Sequence, residues 1–180
     1  MIPPTPVLLR TDVDQRAAAV GALTRAELRA IAGGLAADPA PWRHLVRHDP
    51  EQRVFERLRL DDLLEVWLIC WMPGHDTGFH DHDLSSGAVV VAQGAVVEER
   101  LRIAAAPAVR RYGPGDVFDF SPSEIHRVAH AGTTPATTLH AYSPPLRRMG
   151  AYRVEPGGVL QRHPLAKDEE LRPLTVVSPS

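Results

Sequence analysis

Short runs of apolar and β-branched residues, separated by proline and glycine, fill the chain from about residue 54 to residue 142. We predict seven strands from them, at 54–60, 64–71, 87–92, 95–103, 117–120, 126–131 and 137–142. Turn residues such as Pro73-Gly74 separate neighbouring runs. Because short strands at close intervals bury their apolar faces in a sandwich or a barrel, the sequence predicts a mainly β protein.

The region before these strands is predicted to be helical. Thr24 and Glu27 have the spacing of a capping box, in which each satisfies an exposed backbone donor. Apolar residues then recur at helical spacing, at Leu28, Ile31, Ala32 and Leu35. Asp38-Pro39 should end this helix, and a shorter helix is expected at about 13–23.

Length and composition favour one ordinary globular domain. We predict a single domain over 1–180, with a helical part at about 1–50, a β-barrel at about 51–155 and an irregular C-terminal tail. The net charge of −2 argues against nucleic acid as a partner. No apolar run approaches the ~18 residues of a membrane span, and the N-terminus lacks a secretory signal. We therefore expect a cytoplasmic protein, a monomer or a weak homodimer.

Histidines are the residues that indicate a function. The chain has nine, and six lie between residues 75 and 140, where the strand signals are densest. His80 and His82 are two residues apart, so in a strand both would point to one face. His126 follows a glycine turn, a strand and a proline, which would return the chain to the same interior. The three imidazoles could converge on one metal ion.

This arrangement resembles the cupin family. The residues in register with the first cupin motif are Gly74, His80, His82 and Gly94. The spacing from Gly115 to His126 is similar to the second motif. The motif's glutamate is absent, because its position holds Gly87 (or Ser86), and a three-histidine site remains. Three neutral imidazoles suit Fe(II), but they also suit Zn, Cu, Ni or Co.

The second half resembles the cysteine dioxygenase family. Ile-His-Arg-Val at 125–128 and Thr-Leu-His-Ala-Tyr-Ser-Pro-Pro at 138–145 carry this resemblance. It implies a cupin (jelly-roll) barrel with N-terminal helices. It also implies an Fe(II) cofactor, with a small thiol and O2 as substrates and a sulfinic acid as product. The implied iron ligands are His80, His82 and His126.

The same resemblance implies roles for four further residues. Tyr142 would be a hydroxyl near the oxygen or the substrate sulfur, His140 would orient it, and Thr138 stands where the family has serine. Alternation places these three on one strand face. Arg57 would bind a substrate carboxylate, since a guanidinium pairs with it in a planar, bidentate way. Arg59 shares its strand face and competes for that role.

The sequence departs from the family at one position, and it leaves three alternatives open for the substrate or the function. Animal members carry a cysteine that crosslinks to the tyrosine, and its position matches Gly87, so no thioether can form with Tyr142. The thiol could be cysteine, a mercapto-acid, or a bulkier thiol or thione. A different cupin enzyme, such as a metal-dependent isomerase, is a second alternative. A non-catalytic cupin that binds a ligand or senses metal is the third.

Overall fold

The N-terminal helix of the computed structural model begins and ends where the sequence predicts. The structure describes residues 21–155, 159–166 and 169–174. Helix α1 (Arg25–Ala37) starts after Thr24, whose side chain forms the reciprocal capping box with Glu27. A short 3-10 helix follows at Arg43–Leu45. The helix expected at about 13–23 lies almost wholly outside the described residues, and no described helix is long and apolar enough to cross a bilayer.

Eleven strands form the rest of the described fold. They are β1 (Val54–Leu60), β2 (Glu65–Trp71), β3 (Phe79–Asp81), β4 (Ser86–Gln93), β5 (Val96–Arg102), β6 (Ala105–Tyr112), β7 (Val117–Phe120), β8 (His126–His130), β9 (Ala136–Ser143), β10 (Arg148–Val154) and β11 (Leu160–Ala166). The first sheet has the order β1-β2-β9-β4-β7, and the second has the order β11-β10-β3-β8-β5-β6. Every neighbouring pair is antiparallel.

The seven predicted strands are all present, two of them (β1 and β7) with the predicted bounds. The sequence did not predict β3, β6, β10 and β11. Strand β6 is exposed at six of its eight residues, so it lacks the alternation that signals a strand. The C-terminal tail, expected to be irregular, instead contains β11, which pairs with β10 along its full length. Ladder hydrogen bonds and the Arg162–Asp81 ion pair stabilise this edge strand, and neither shows as hydrophobic periodicity.

Apolar residues form two clusters, one on each face of the first sheet. On the outer face, Leu28 and Ala32 of α1 pack against Val66, Val90 and Leu139. On the inner face, a second cluster fills the space between the sheets, including Trp71, Val89, Phe118, Phe120 and Val128. Strand β9 is buried at all eight residues because it contributes to both clusters. Its inward positions therefore reach the barrel interior.

Candidate metal centre

Three buried histidines meet inside the barrel. His80 lies on β3, His82 follows that strand directly, and His126 begins β8. Strands β3 and β8 pair at a single position, His80 opposite His126, which brings residues 46 positions apart into contact. One ring nitrogen from each histidine lies within 4.8 Å of the others, so the three could hold one metal ion. The structure thus brings together all three predicted ligands.

Hydrogen bonds fix which nitrogens are available. The Nδ1–H of His80 donates to the carbonyl of Gly78 over 3.0 Å, and the Nδ1–H of His126 donates to Glu98 Oε1 over 2.8 Å. The Nε2 lone pairs of both rings are then free to bind a metal. Within the described residues, His126 Nε2 and His82 Nδ1 are buried without a hydrogen-bond partner. Because unpaired buried polar atoms are costly, this donor set fits a metal ion.

Burial keeps the three imidazoles neutral. Loss of hydration lowers the pKa of His80 to about 4, and it lowers the pKa of His82 and of His126 well below 6.5. A neutral imidazole offers a lone pair at neutral pH, whereas an imidazolium offers none. The site can therefore bind a metal without first losing protons.

Glu98 supports the centre, although no role for it was predicted from the sequence. Its buried carboxylate on β5 accepts from His126 and, over 3.2 Å, from the hydroxyl of Tyr112. Arg100 lies 3.0 Å from the same carboxylate and offsets its charge. A carboxylate behind a ligating histidine fixes the tautomer and raises ligand basicity. The signal that could have found Glu98 is its position two residues after Val96, which places both side chains on the same, inward face of β5.

A chain of hydrogen bonds runs along β9 beside the histidines. The indole N–H of Trp71 donates to Thr138 Oγ1 over 2.8 Å, and Thr138 lies 2.8 Å from His140 Nε2. His140 Nδ1 lies 3.1 Å from the hydroxyl oxygen of Tyr142. The structure joins Thr138, His140 and Tyr142, which alternation places on one strand face, and it adds Trp71 to the chain of hydrogen bonds.

The direction of these hydrogen bonds follows from the donor at the end. Since an indole N–H cannot accept, Thr138 accepts from Trp71, and its own proton goes to His140 Nε2 at 2.8 Å rather than to the more distant carbonyl of Ile69 at 3.5 Å. The imidazole then carries its proton on Nδ1 and donates it to the Tyr142 oxygen. Burial lowers the pKa of His140 to about 3 and raises that of Tyr142, with the charge of Glu65 adding to the latter. Tyr142 therefore keeps its proton, which is free to point into the cavity.

A cavity of about 280 Å³ opens beside the three histidines and Tyr142. Most of its wall is apolar or aromatic, including Phe55, Trp67, Ile69, Trp71, Leu146 and Met149. Its charged residues among those described are Arg53, Glu65, Glu169 and Glu170. The last two belong to the C-terminal segment 169–174, which was predicted to be part of an irregular tail without a functional role. One wall of the site thus comes from a distant part of the chain.

Arg57 does not line this cavity. Its side chain is 42% exposed and lies 3.7 Å from Glu65, with its guanidinium over the ring of Trp67. Arg59 is also exposed and pairs with Asp61. The arginine in the cavity wall is Arg53, whose side chain is only 3% exposed. The position of Arg53 in the cavity wall was not predicted, because Arg53 precedes the predicted strand. The role predicted for Arg57 stays a prediction.

The structure explains why this chain has a glycine at position 87. It lies directly across β4–β9 from Tyr142, and a side chain at this position would overlap the ring of Phe120. That ring stacks on His82 with centroids 4.3 Å apart and lies 4.5 Å from His126. Phe120 therefore occupies the space where a crosslinking cysteine would stand, and it packs the histidines from one side.

The two-sheet barrel is similar to solved cupins. A cupin superfamily protein from Desulfitobacterium hafniense DCB-2 matches with 17% identity and a TM-score of 0.50, over 57% of this chain and 87% of that chain. A conserved protein with a double-stranded β-helix domain from Klebsiella pneumoniae subsp. pneumoniae MGH 78578 matches with 17% identity and a TM-score of 0.51, over 57% and 80%. At this identity the likeness shows the fold alone: a cupin.

The family follows from the sequence match. The family model described as cysteine dioxygenase type I matches residues 9–155, and the chain belongs to that family. This membership places it among oxygenase-type enzymes. No curated protein sequence matches closely enough to add a relative. The match ends before the segment 169–174, so the cavity wall that this segment supplies lies beyond the family's matched region.

Proposed function

We propose that this protein is an iron-dependent thiol dioxygenase. It adds both atoms of O2 to the sulfur of a small thiol, cysteine or a related compound, and gives the sulfinic acid. The reaction balances as RSH plus O2 giving RSO2H, with sulfur oxidised and O2 reduced and no other reductant. The observation that carries the proposal is the Tyr142 hydroxyl, oriented by His140, beside a buried three-histidine group in one cavity.

The three histidines would hold Fe(II). Iron, when bound, would supply adjacent positions for the thiolate and for O2 on one ion. Three neutral ligands leave more positive charge at the centre than two histidines and a carboxylate, which favours an anionic thiolate. Glu98 keeps His126 in the tautomer that presents Nε2 to the centre. Because His80 donates to Gly78, its ring is fixed in the same way.

Tyr142 would act as the hydrogen-bond donor of the site. Its oxygen accepts from His140, so its own proton is directed away from β9 and toward the reactants. The raised pKa of Tyr142 keeps this proton in place at neutral pH. A donor positioned before the reaction costs no reorganisation when negative charge develops on oxygen or sulfur.

The aromatic wall would exclude water from the reactants. Trp71, Phe120 and Phe55 surround the cavity, and a dry site strengthens the hydrogen bond from Tyr142. It also limits side reactions of reduced oxygen. Trp71 has a second task, since its N–H sets the direction of the hydrogen bonds through Thr138.

The test is oxygen consumption by anaerobically iron-loaded protein, with mass spectrometry of the products. The thiols are cysteine, cysteamine, 3-mercaptopropionate, mercaptosuccinate and a thiohistidine derivative. We expect one or more to gain two oxygen atoms, with the gain lost in His82→Ala. The exposed His44→Ala is the matched control and should keep the activity. If iron is bound but none of these thiols is oxidised, the result would contradict the proposal and point to another cupin chemistry.

A further inference from the structure

A buried carboxylate separates two of the three metal-binding histidines. Asp81 lies between His80 and His82 in the sequence and is 7% exposed. Because side chains alternate along a strand, this carboxylate points to the face of β3 opposite His80, away from the metal-binding group. A buried carboxylate is costly unless charged or polar donors satisfy it. The donors that surround Asp81 therefore indicate what it does.

The two C-terminal strands supply these donors. The guanidinium of Arg162 on β11 donates from Nε to Asp81 Oδ2 over 2.7 Å and from Nη2 to Oδ1 over 2.8 Å. The hydroxyl of Tyr152 on β10 donates to Oδ2 over 2.6 Å. A two-point pair between a guanidinium and a carboxylate fixes orientation as well as distance. Arg162 and Tyr152 thus hold Asp81 in one geometry.

Gly150 leaves the space through which Arg162 reaches Asp81. Strand β10 lies between β11 and β3 in the sheet, and its Gly150 stands directly across from Asp81. The guanidinium crosses β10 at this glycine, since a Cβ atom there would lie 2.2 Å from Arg162 Nε and 2.6 Å from its Cζ. Any larger residue at position 150 would displace the guanidinium. The ion pair therefore needs both the arginine and the glycine.

His82 depends on this carboxylate more than the other two histidines do. Hydrogen bonds from Nδ1 fix the rings of His80 and His126, whereas Nδ1 of His82 has no partner in the part of the chain that the structure describes. Asp81 Oδ1 accepts from the backbone N–H of Asp83 over 3.0 Å, which closes a turn around His82. Asp83 has a φ of 55°, which a residue with a side chain rarely adopts. The carboxylate thus stabilises a strained turn that places a ligand.

Strand β3 is too short to fix its ligands by ladder hydrogen bonds alone. It has three residues, and it pairs with β8 only where His80 faces His126. Its pairing with β10 extends over three positions, and Asp81 is one of them. Because so short a strand has few backbone contacts, the side-chain contacts of Asp81 contribute a large share of what holds it in place.

We propose that Arg162 is a positioning residue of the metal centre, which acts through Asp81 to hold the backbone that carries His80 and His82. The inference deepens the proposed function and rests on its metal centre, whichever thiol is the substrate. Arg162 itself contacts neither the metal position nor the cavity. Its loss leaves all three ligands in the chain but frees His82 to shift relative to the other two, so metal affinity and coordination geometry change together.

The first test is titration of the metal-free protein with Co(II), in competition with a chelator. The visible absorption of Co(II) reports its coordination geometry and requires neither thiol nor oxygen. In Arg162→Gln we expect the affinity to fall by about tenfold, as for a lost outer partner of a metal ligand, and the absorption bands to shift. Arg162→Lys, which keeps the charge, should recover part of the affinity. Arg153→Gln, on β10 and paired with Glu155 instead, is the matched control and should change neither property.

A second variant gives an answer if Arg162→Gln does not fold. Gly150→Ala keeps every member of the cluster but places a methyl group where the guanidinium crosses β10. The side chain of Arg162 is 36% exposed and can swing aside, so we expect a folded protein with weaker Co(II) binding and shifted bands.

The outcomes separate the inference from the proposed function. Unchanged Co(II) affinity and absorption in whichever variant folds, even with a lower melting temperature, would overturn the inference and make Arg162 a stabiliser of the sheet edge alone. The expected changes in Co(II) binding, with no thiol oxidised by the iron-loaded wild type, would instead contradict the proposed function and leave the inference standing.

Discussion

The two ends of the cavity are built in different ways. The metal end consists of His80, His82 and His126 with Tyr142 and His140, and all five residues were predicted from sequence motifs. The charged end consists of Arg53, Glu65 and the segment 169–174, and its residues Arg53 and Glu170 are 117 positions apart in the sequence. Hydrogen bonds orient the side chains of the metal end, whereas ion pairs hold together the charged end. We expect the metal end to govern chemistry for every thiol and the charged end to govern which thiol binds.

The largest effect should come from the donor at the metal end. Tyr142→Phe removes the proton aimed at the reactants while iron ligation stays intact. We expect kcat to fall by about 10²- to 10⁴-fold, the range for a lost acid–base group, with a similar factor for every thiol accepted. Stopped-flow oxygen consumption measures the rate, and the iron content is the control. A factor that differed strongly between thiols would show that the two ends are not separate.

Glu98→Gln should weaken the metal end through His126. The amide accepts a weaker hydrogen bond from Nδ1–H, so the ligand becomes less basic. We expect the affinity for iron to fall by about 10- to 100-fold, measured by competition with a chelator. Saturating iron should restore most of the turnover. An unchanged affinity would mean that Glu98 acts on folding alone.

The metal-free protein should become less stable as the pH is lowered, because its imidazoles are buried. The pKa of His140 is about 3 in the folded state and near 6.5 in the unfolded state. Below pH 6.5 the unfolded chain therefore binds a proton at this residue that the folded state does not bind, and this favours unfolding. His140 should lower the free energy of unfolding by about 2 kcal/mol at pH 5 and leave it nearly unchanged at pH 7. Urea unfolding of wild type and His140→Gln at both pH values measures it. Equal losses in the two proteins would contradict the prediction.

The smallest effect should come from the ion pair between Arg53 and Glu170 at the charged end. Glu170→Gln weakens the ion pair to Arg53, and the hydrogen bond from Arg53 Nη2 to the carbonyl of Leu171 remains. We expect faster amide exchange in 169–174 and a change of a few-fold in KM with kcat kept, as for a partly buried pair worth about 1 kcal/mol. Glu155→Gln, outside the cavity, is the matched control. A large fall in kcat would place the segment in the chemistry itself.

Sequence patterns predicted those elements whose buried residues recur at a regular local spacing. The capping box at Thr24, seven strands and the three histidines all follow from local spacing. Strand β11 could not be predicted, because its residues are largely exposed and do not alternate between apolar and polar, although its partner β10 directly precedes it. The cavity position of Arg53 was not predicted for a different reason, since its burial depends on Glu170, 117 positions away.

The sequence by itself determined the family, the β architecture and the residues that could bind a metal. These depend on strand alternation and on short motifs, which act over a few residues. Only the tertiary structure decided that Glu98 stands behind His126, that Phe120 fills the space over Gly87, and that Glu65 faces the cavity. Such contacts depend on which strands pair and in what register. Many long-range interactions fix that register together, and no single segment encodes it.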